Sequence, residues 1–122
     1  MATLTSQVKL DISDITADAI ALDVTSTFTA LAGGITSQTI TARNTGTAIP
    51  VVEATYYAAG TMVYLRNKGA ATETIDVELT SGTTHIFLSA GQWTVFPWEA
   101  ATDIEAYSSE NVILEIGVFS AA

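Results

Sequence analysis

The residues able to do chemistry are few and loosely spaced. His85 is the only imidazole in the chain. A hydrolytic dyad needs an imidazole beside a nucleophile, and Ser81 and Ser89 are its neighbours in sequence. A cross-strand polar residue on a β-meander is the commoner role for such a histidine. Carboxylates gather in two places, Asp11, Asp14 and Asp18 in one and Glu99, Asp103 and Glu105 in the other. Calcium takes oxygen ligands gathered on a loop, but neither group has the D-x-D-x-D-G spacing of a calcium loop. A solvated acidic face accounts for both. Zinc wants three or four N or S ligands, and one His with no Cys does not supply them. Gly33-Gly34 lacks the Lys-Ser/Thr and the helix of a phosphate loop. The expectation is therefore a non-enzymatic chain with no catalytic residue, no metal and no cofactor.

Aromatic side chains offer binding rather than reaction. Trp93 and Trp98 have an odd separation, so a strand regular through Pro97 puts them on opposite faces. An exposed Trp with Tyr56 or Tyr57 nearby can stack on a sugar ring or anchor a protein partner. Tyr56, Tyr57 and Trp98 are the candidate partner interface.

The elements that must position these residues are strands. In Ile75-Asp76-Val77-Glu78-Leu79 the aliphatics fall on one face and the acids on the other, the pattern of a half-wet strand. Ser81-Gly82 turns into Thr84–Leu88, and Ala90-Gly91 turns into Gln92–Phe96. This reads as a three-stranded meander, with Met62–Asn67 as a strand before it. Upstream, Val8, Leu10 and Ile12 alternate with Lys9 and Asp11. Ser13 to Asp18 breaks the pattern, and Ile20, Leu22, Val24 and Phe28 restore it. Gly33-Gly34 punctuates, Ile35 to Ala42 forms a weaker strand, and Asn44-Thr45-Gly46 is a turn. Ile49–Val52 is an edge strand or extended link, because Pro50 cannot donate to a ladder. Ala54–Gly60 reads as a loop. Downstream come Ile104–Tyr107, a turn at Ser108–Asn111, and a final apolar strand Val112–Phe119. The expected core holds Leu65, Ile75, Val77, Leu79, Ile86, Leu88, Leu114 and Ile116.

Short strands with frequent turns predict an all-β fold, an antiparallel β-sandwich or jelly-roll-like barrel with an extended N-terminal segment. With 122 residues, 48% hydrophobic, the chain makes one β domain over 1–122, residues 1–12 being a bridging arm or edge strand. Four Lys plus Arg against 13 Asp plus Glu give a net charge of −9. Phosphate binding needs cations, so nucleic acid is disfavoured as a partner, and so is an anionic membrane. The N-terminus lacks the basic leader and apolar run of a signal peptide, and synthesis in the cytosol is expected. The candidate edges Thr36–Thr41 and Val112–Phe119 carry few charges; loops or the first strand cover them inside one chain, or neighbours do, which points to a homo-oligomer, a trimer being favoured.

Val63-Tyr64-Leu65-Arg66-Asn67 followed by Lys68-Gly69 resembles a pattern in small virion structural proteins of tailed bacteriophages. Phe87-Leu88-Ser89-Ala90-Gly91-Gln92, running on to Val95-Phe96-Pro97, is similar to it too. The stretch Ala19–Thr25 to Gly33-Gly34-Ile35 resembles the N-terminal parts of such proteins more weakly. The resemblance implies a β-sandwich capsid decoration (cement) subunit in the virion, made in the host cytoplasm, whose partner is the major capsid protein or another virion structural protein. It would stabilise the shell by binding across capsid subunit seams. The alternative is a tail or fibre β-module binding a host glycan or another virion protein.

Overall fold

The computed structural model describes residues 2–12, 20–41, 48–80 and 82–121. Among these residues, nine strands make two antiparallel sheets packed as a sandwich. They are β1 (Ala2–Ile12), β2 (Ile20–Ile40), β3 (Ile49–Val52), β4 (Thr61–Asn67), β5 (Ile75–Thr80), β6 (Thr83–Leu88), β7 (Trp93–Trp98), β8 (Ile104–Tyr107) and β9 (Val112–Ala121). One sheet has the order β1-β2-β9-β4-β7 and the other β3-β8-β5-β6. The only helical element among the described residues is a single 3-10 turn, Ala54–Tyr56, within the expected loop.

Period-two patterning fills the space between the sheets. Val63, Leu65, Leu114, Ile116 and Ile40 face inward from the five-stranded sheet, against Ile75, Val77, Leu88, Ile104 and Ala106 from the other. Six of the eight expected core residues are buried. Leu79 and Ile86 are only partly covered, being packed against the rim of the core.

The meander differs from expectation. β5 and β6 pair as a hairpin, but β7 leaves them and pairs with β4 in the opposite sheet. The physical reason is Asn67, wholly buried at the end of β4. Its backbone N–H donates to the Gln92 carbonyl at 2.9 Å, and its own carbonyl accepts from Gly91 N–H at 2.9 Å. Its Nδ2 donates to the carbonyls of Glu73 (2.8 Å) and Leu88 (3.0 Å), while Oδ1 accepts from Gly69 N–H at 2.7 Å. The turn after β6 is thus tied to β4 and delivers β7 to that strand's free side. Gly69 is needed for the approach, since a Cβ there would meet the Glu73 carboxylate and lie 2.9 Å from Asn67 Oδ1.

The first 40 residues also rearrange. Of the two alternatives for residues 1–12, β1 takes the edge-strand place: it pairs with β2 from Ala2↔Ala30 to Ile12↔Ile20, making a long two-stranded ribbon. β2 then runs on through Gly33-Gly34 instead of ending there. Ala30 pairs with Ala121 and Gly33 with Phe119, so β2 carries one extra residue, a β-bulge. The Ser120 hydroxyl serves the bulge, accepting from Ala32 N–H at 3.2 Å and donating to the Ala32 carbonyl at 3.0 Å. Gly33 lies under the Phe119 ring, where a Cβ would collide. Glycine in a strand often marks such a bulge or close approach. Of the two expected edges, Val112–Phe119 is interior, lying between β2 and β4. Among the described residues, 33–40 pair with β9 alone. The expected turns at Ser13–Asp18 and Asn44–Gly46 lie outside the described residues.

Asn67→Ala should cost about 3 kcal/mol, from three side-chain hydrogen bonds at about 1 kcal/mol each. Urea denaturation of the variant beside the wild type measures it. A loss near zero would mean that the corner is held by the backbone alone.

Candidate functional site: the outer face of the five-stranded sheet

Pairing decides which aromatics are available. Trp98 stands opposite Thr61 and Trp93 opposite Arg66, so the two tryptophans do point to opposite faces. Trp98 is in the core, only 5% exposed, with the Tyr57 ring tilted against it at 6.1 Å between centroids. Tyr57 is half-buried, and Tyr56 alone of the three is exposed. The expected set of Tyr56, Tyr57 and Trp98 therefore presents no common exposed face. The inward register of Trp98 is the reason, and the exposed tryptophan is Trp93, at 51%.

The other candidates disperse. His85 is exposed, and its Nδ1 accepts a 3.3 Å hydrogen bond from Leu79 N–H on the adjacent strand, as a cross-strand polar residue does. The Ser89 backbone N–H donates to Gln92 Oε1 at 2.8 Å, which shapes the turn; Ser81 lies outside the described residues. Asp11 pairs with Lys9 at 3.7 Å on the exposed ribbon, and Asp103 Oδ1 accepts from Ala54 N–H at 2.8 Å. Asp14 and Asp18 lie outside the described residues. Among the described residues no three His, Asp or Glu side chains gather as metal ligands.

What the fold does assemble is a surface. On β4 and β9 the side chains turned away from the core are Met62, Tyr64 and Arg66 with Ile113, Glu115 and Phe119. Val95, Pro97 and Trp93 join them from β7, and Ile35 from β2. The bulge shifts parity, so even-numbered residues of β2 before it share this face with odd-numbered ones after it. Leu4, Val8 and Leu10 of β1, with Val24 and Phe28 of β2, therefore continue the same apolar face out along the ribbon. Thr3, Thr5, Gln7, Lys9 and Asp11 point the other way, and Gln7 Nε2 donates to Asp23 Oδ1 at 2.8 Å there. Ribbon and sheet enclose an open groove of about 1180 Å³ whose walls are mostly apolar.

Its polar centre is Tyr64. The phenol donates to Glu115 Oε1 at 2.7 Å, a bond from β4 to β9. Arg66, next along β4 on this face, has its Nε buried without a hydrogen-bond partner among the described residues. Burial first, then the hydrogen bond and charge of Glu115, push the Tyr64 phenol above its ordinary 10.0, with Arg66 opposing. The groove was missed in sequence because its faces join only through the bulge at Gly33, which the glycine pair signals as a break.

The folded chain holds the Tyr64 proton more tightly than the unfolded one, so that stabilisation is complete below the unfolded pKa and is lost as pH rises through the folded value. Melting temperatures taken between about pH 9 and about pH 11 should fall further in the wild type than in Tyr64→Phe. Parallel falls in both chains would show that Tyr64 is not differentially protonated.

No protein-family model matches this chain, and no curated protein matches it either.

Proposed function

We propose that the chain is a non-enzymatic structural subunit that fastens onto a larger protein assembly. In its most concrete form this is a capsid decoration subunit of a tailed bacteriophage, bound on the virion to the major capsid protein. The observation that carries the reading is the free margin of β2 from Gly33 to Ile40. Among the described residues it is paired on one side only, in unbroken register, and it contains neither a charge nor a proline. Other margins carry guards: β7 and β3 contain Pro97 and Pro50, the β5–β6 pairing has two register shifts, and the edge strand β1 carries Lys9 and Asp11. An open, flat, uncharged margin is a template for a partner's backbone. A subunit that binds only assembled shell proteins stabilises the shell by mass action.

Particles purified from cells expressing the chain in its native genetic setting should carry it at regular positions, visible in a low-resolution map. Thr36→Lys with Thr39→Lys, both at exposed positions, should reduce that occupancy at least tenfold while the far-ultraviolet spectrum keeps its β shape. A chain found wholly outside particles overturns the reading.

One observation favours the glycan-binding alternative. Phe87 and Trp93, both more than half exposed, line a shallow depression of about 490 Å³ with Gln92 and Thr94. Aromatic faces beside amide and hydroxyl groups suit a sugar ring. A glycan array should then show hits that Trp93→Ala abolishes; a blank array removes this alternative.

A further inference from the structure

The ribbon has an apolar face that the described residues leave open. Val8 is 44% exposed, Leu10 48% and Val24 51%, whereas Leu4 and Phe28, nearer the sandwich, are half-buried. A two-stranded hairpin with one uncovered apolar face is marginal in water. Resting on the assembly role proposed above, we infer that a second copy of this chain covers it. Two ribbons are exchanged, each laying its apolar face along the outer sheet face of the other copy.

Three observations select that occupant. The first is charge. At −9 the chain repels its own copies through most of its surface. The described charges of the ribbon, Lys9, Asp11 and Asp23, all lie on its polar face, as the register shows. The face carrying Val8, Leu10 and Val24 is therefore one along which two such acidic chains can approach.

The second is complementarity of kind. The groove presents an apolar wall on each side, with Met62, Val95, Pro97 and Phe119 facing Leu4, Val8 and Phe28. The chain thus supplies both the apolar strip that needs cover and an apolar bed. The third is area. Eleven residue pairs at about 3.4 Å each and two strand widths of about 4.8 Å give one ribbon face of roughly 360 Å². One ribbon docked one way buries roughly 720 Å² in total, below the 1,200 Å² or so of a stable interface. Reciprocal exchange doubles that to roughly 1,400 Å², within the standard range. Reciprocity makes the interface isologous, with the same patches contributed by both copies.

The test uses the whole chain in sedimentation velocity over a concentration series. Wild type should sediment as an oligomer. Val8→Lys combined with Val24→Asp puts an opposite-charge pair on directly opposed positions, which keeps the ribbon paired but charges its open face. That variant should dissociate at concentrations at least ~100-fold higher than wild type. Thr3→Asp with Thr25→Asp, on the polar face, should leave association unchanged.

A nitroxide on Val8→Cys gives a readout independent of the charged variant's folding, and the chain has no other cysteine to label. Its spectrum should be immobilised in the oligomer and become mobile on dilution. A wild type monomeric at high micromolar concentration overturns the inference, as does an oligomer insensitive to the charged pair or a label that stays mobile. Loss of particle occupancy with self-association intact sinks the assembly role alone. A monomer that still decorates particles sinks only the exchanged ribbon.

Discussion

Asn67 is the residue through which the two sheets are held to one another at one end. Its five hydrogen bonds reach the β4–β5 turn, the end of β6 and the turn into β7. An aliphatic side chain of similar size would fill the space but forfeit three hydrogen bonds, at about 1 kcal/mol each, the one to the buried Leu88 carbonyl being the costliest. A polar residue at the core's edge therefore determines connectivity, because the chain changes sheets only where its turn backbone can be satisfied. Ser108 acts similarly beyond β8: its buried hydroxyl donates to the Thr74 carbonyl at 2.8 Å and accepts from Glu110 N–H at 3.1 Å. The Asn67 corner ties one sheet to the other, and the Ser108 corner ties the exit of β8 to the start of β5 within the four-stranded sheet.

With the inside settled this way, the outside is shaped by one inserted residue. Had β2 stayed regular, the ribbon's aliphatics would have faced the same way as the core side of the sheet. The extra residue before Gly33 sends them to the other side, into one surface with Tyr64, Trp93 and Phe119. A bulge is a small feature of the ladder, yet here it determines which half of the molecule is apolar outside.

Strand content and most of the core were legible because alternation in Val63–Asn67, Ile75–Leu79 and Val112–Ile116 maps directly to inward and outward faces. Pro50 announced an edge, and β3 is one. Pairing was less legible. Nothing local in Trp93–Trp98 tells whether it continues a meander or crosses over, since either placement satisfies its alternation. The decision lies with Asn67, more than twenty residues away. Trp98 shows the same limit: parity said that the tryptophans part, and only the register with Thr61 says which one goes inside. Gly33-Gly34 misled for a specific reason, as glycine marks both turns and bulges.

β2 has one further consequence. Its 21 residues belong to two structures at once, the first half to the ribbon and the second to the sandwich. A pull on the ribbon's tip is transmitted lengthwise along β2 into the sheet. Antiparallel hydrogen bonds lie perpendicular to the strands, so such a load falls in shear on the whole β2–β9 ladder together and does not peel it bond by bond. The molecule is built like a rivet, with a shank that is continuous with the plate it fastens.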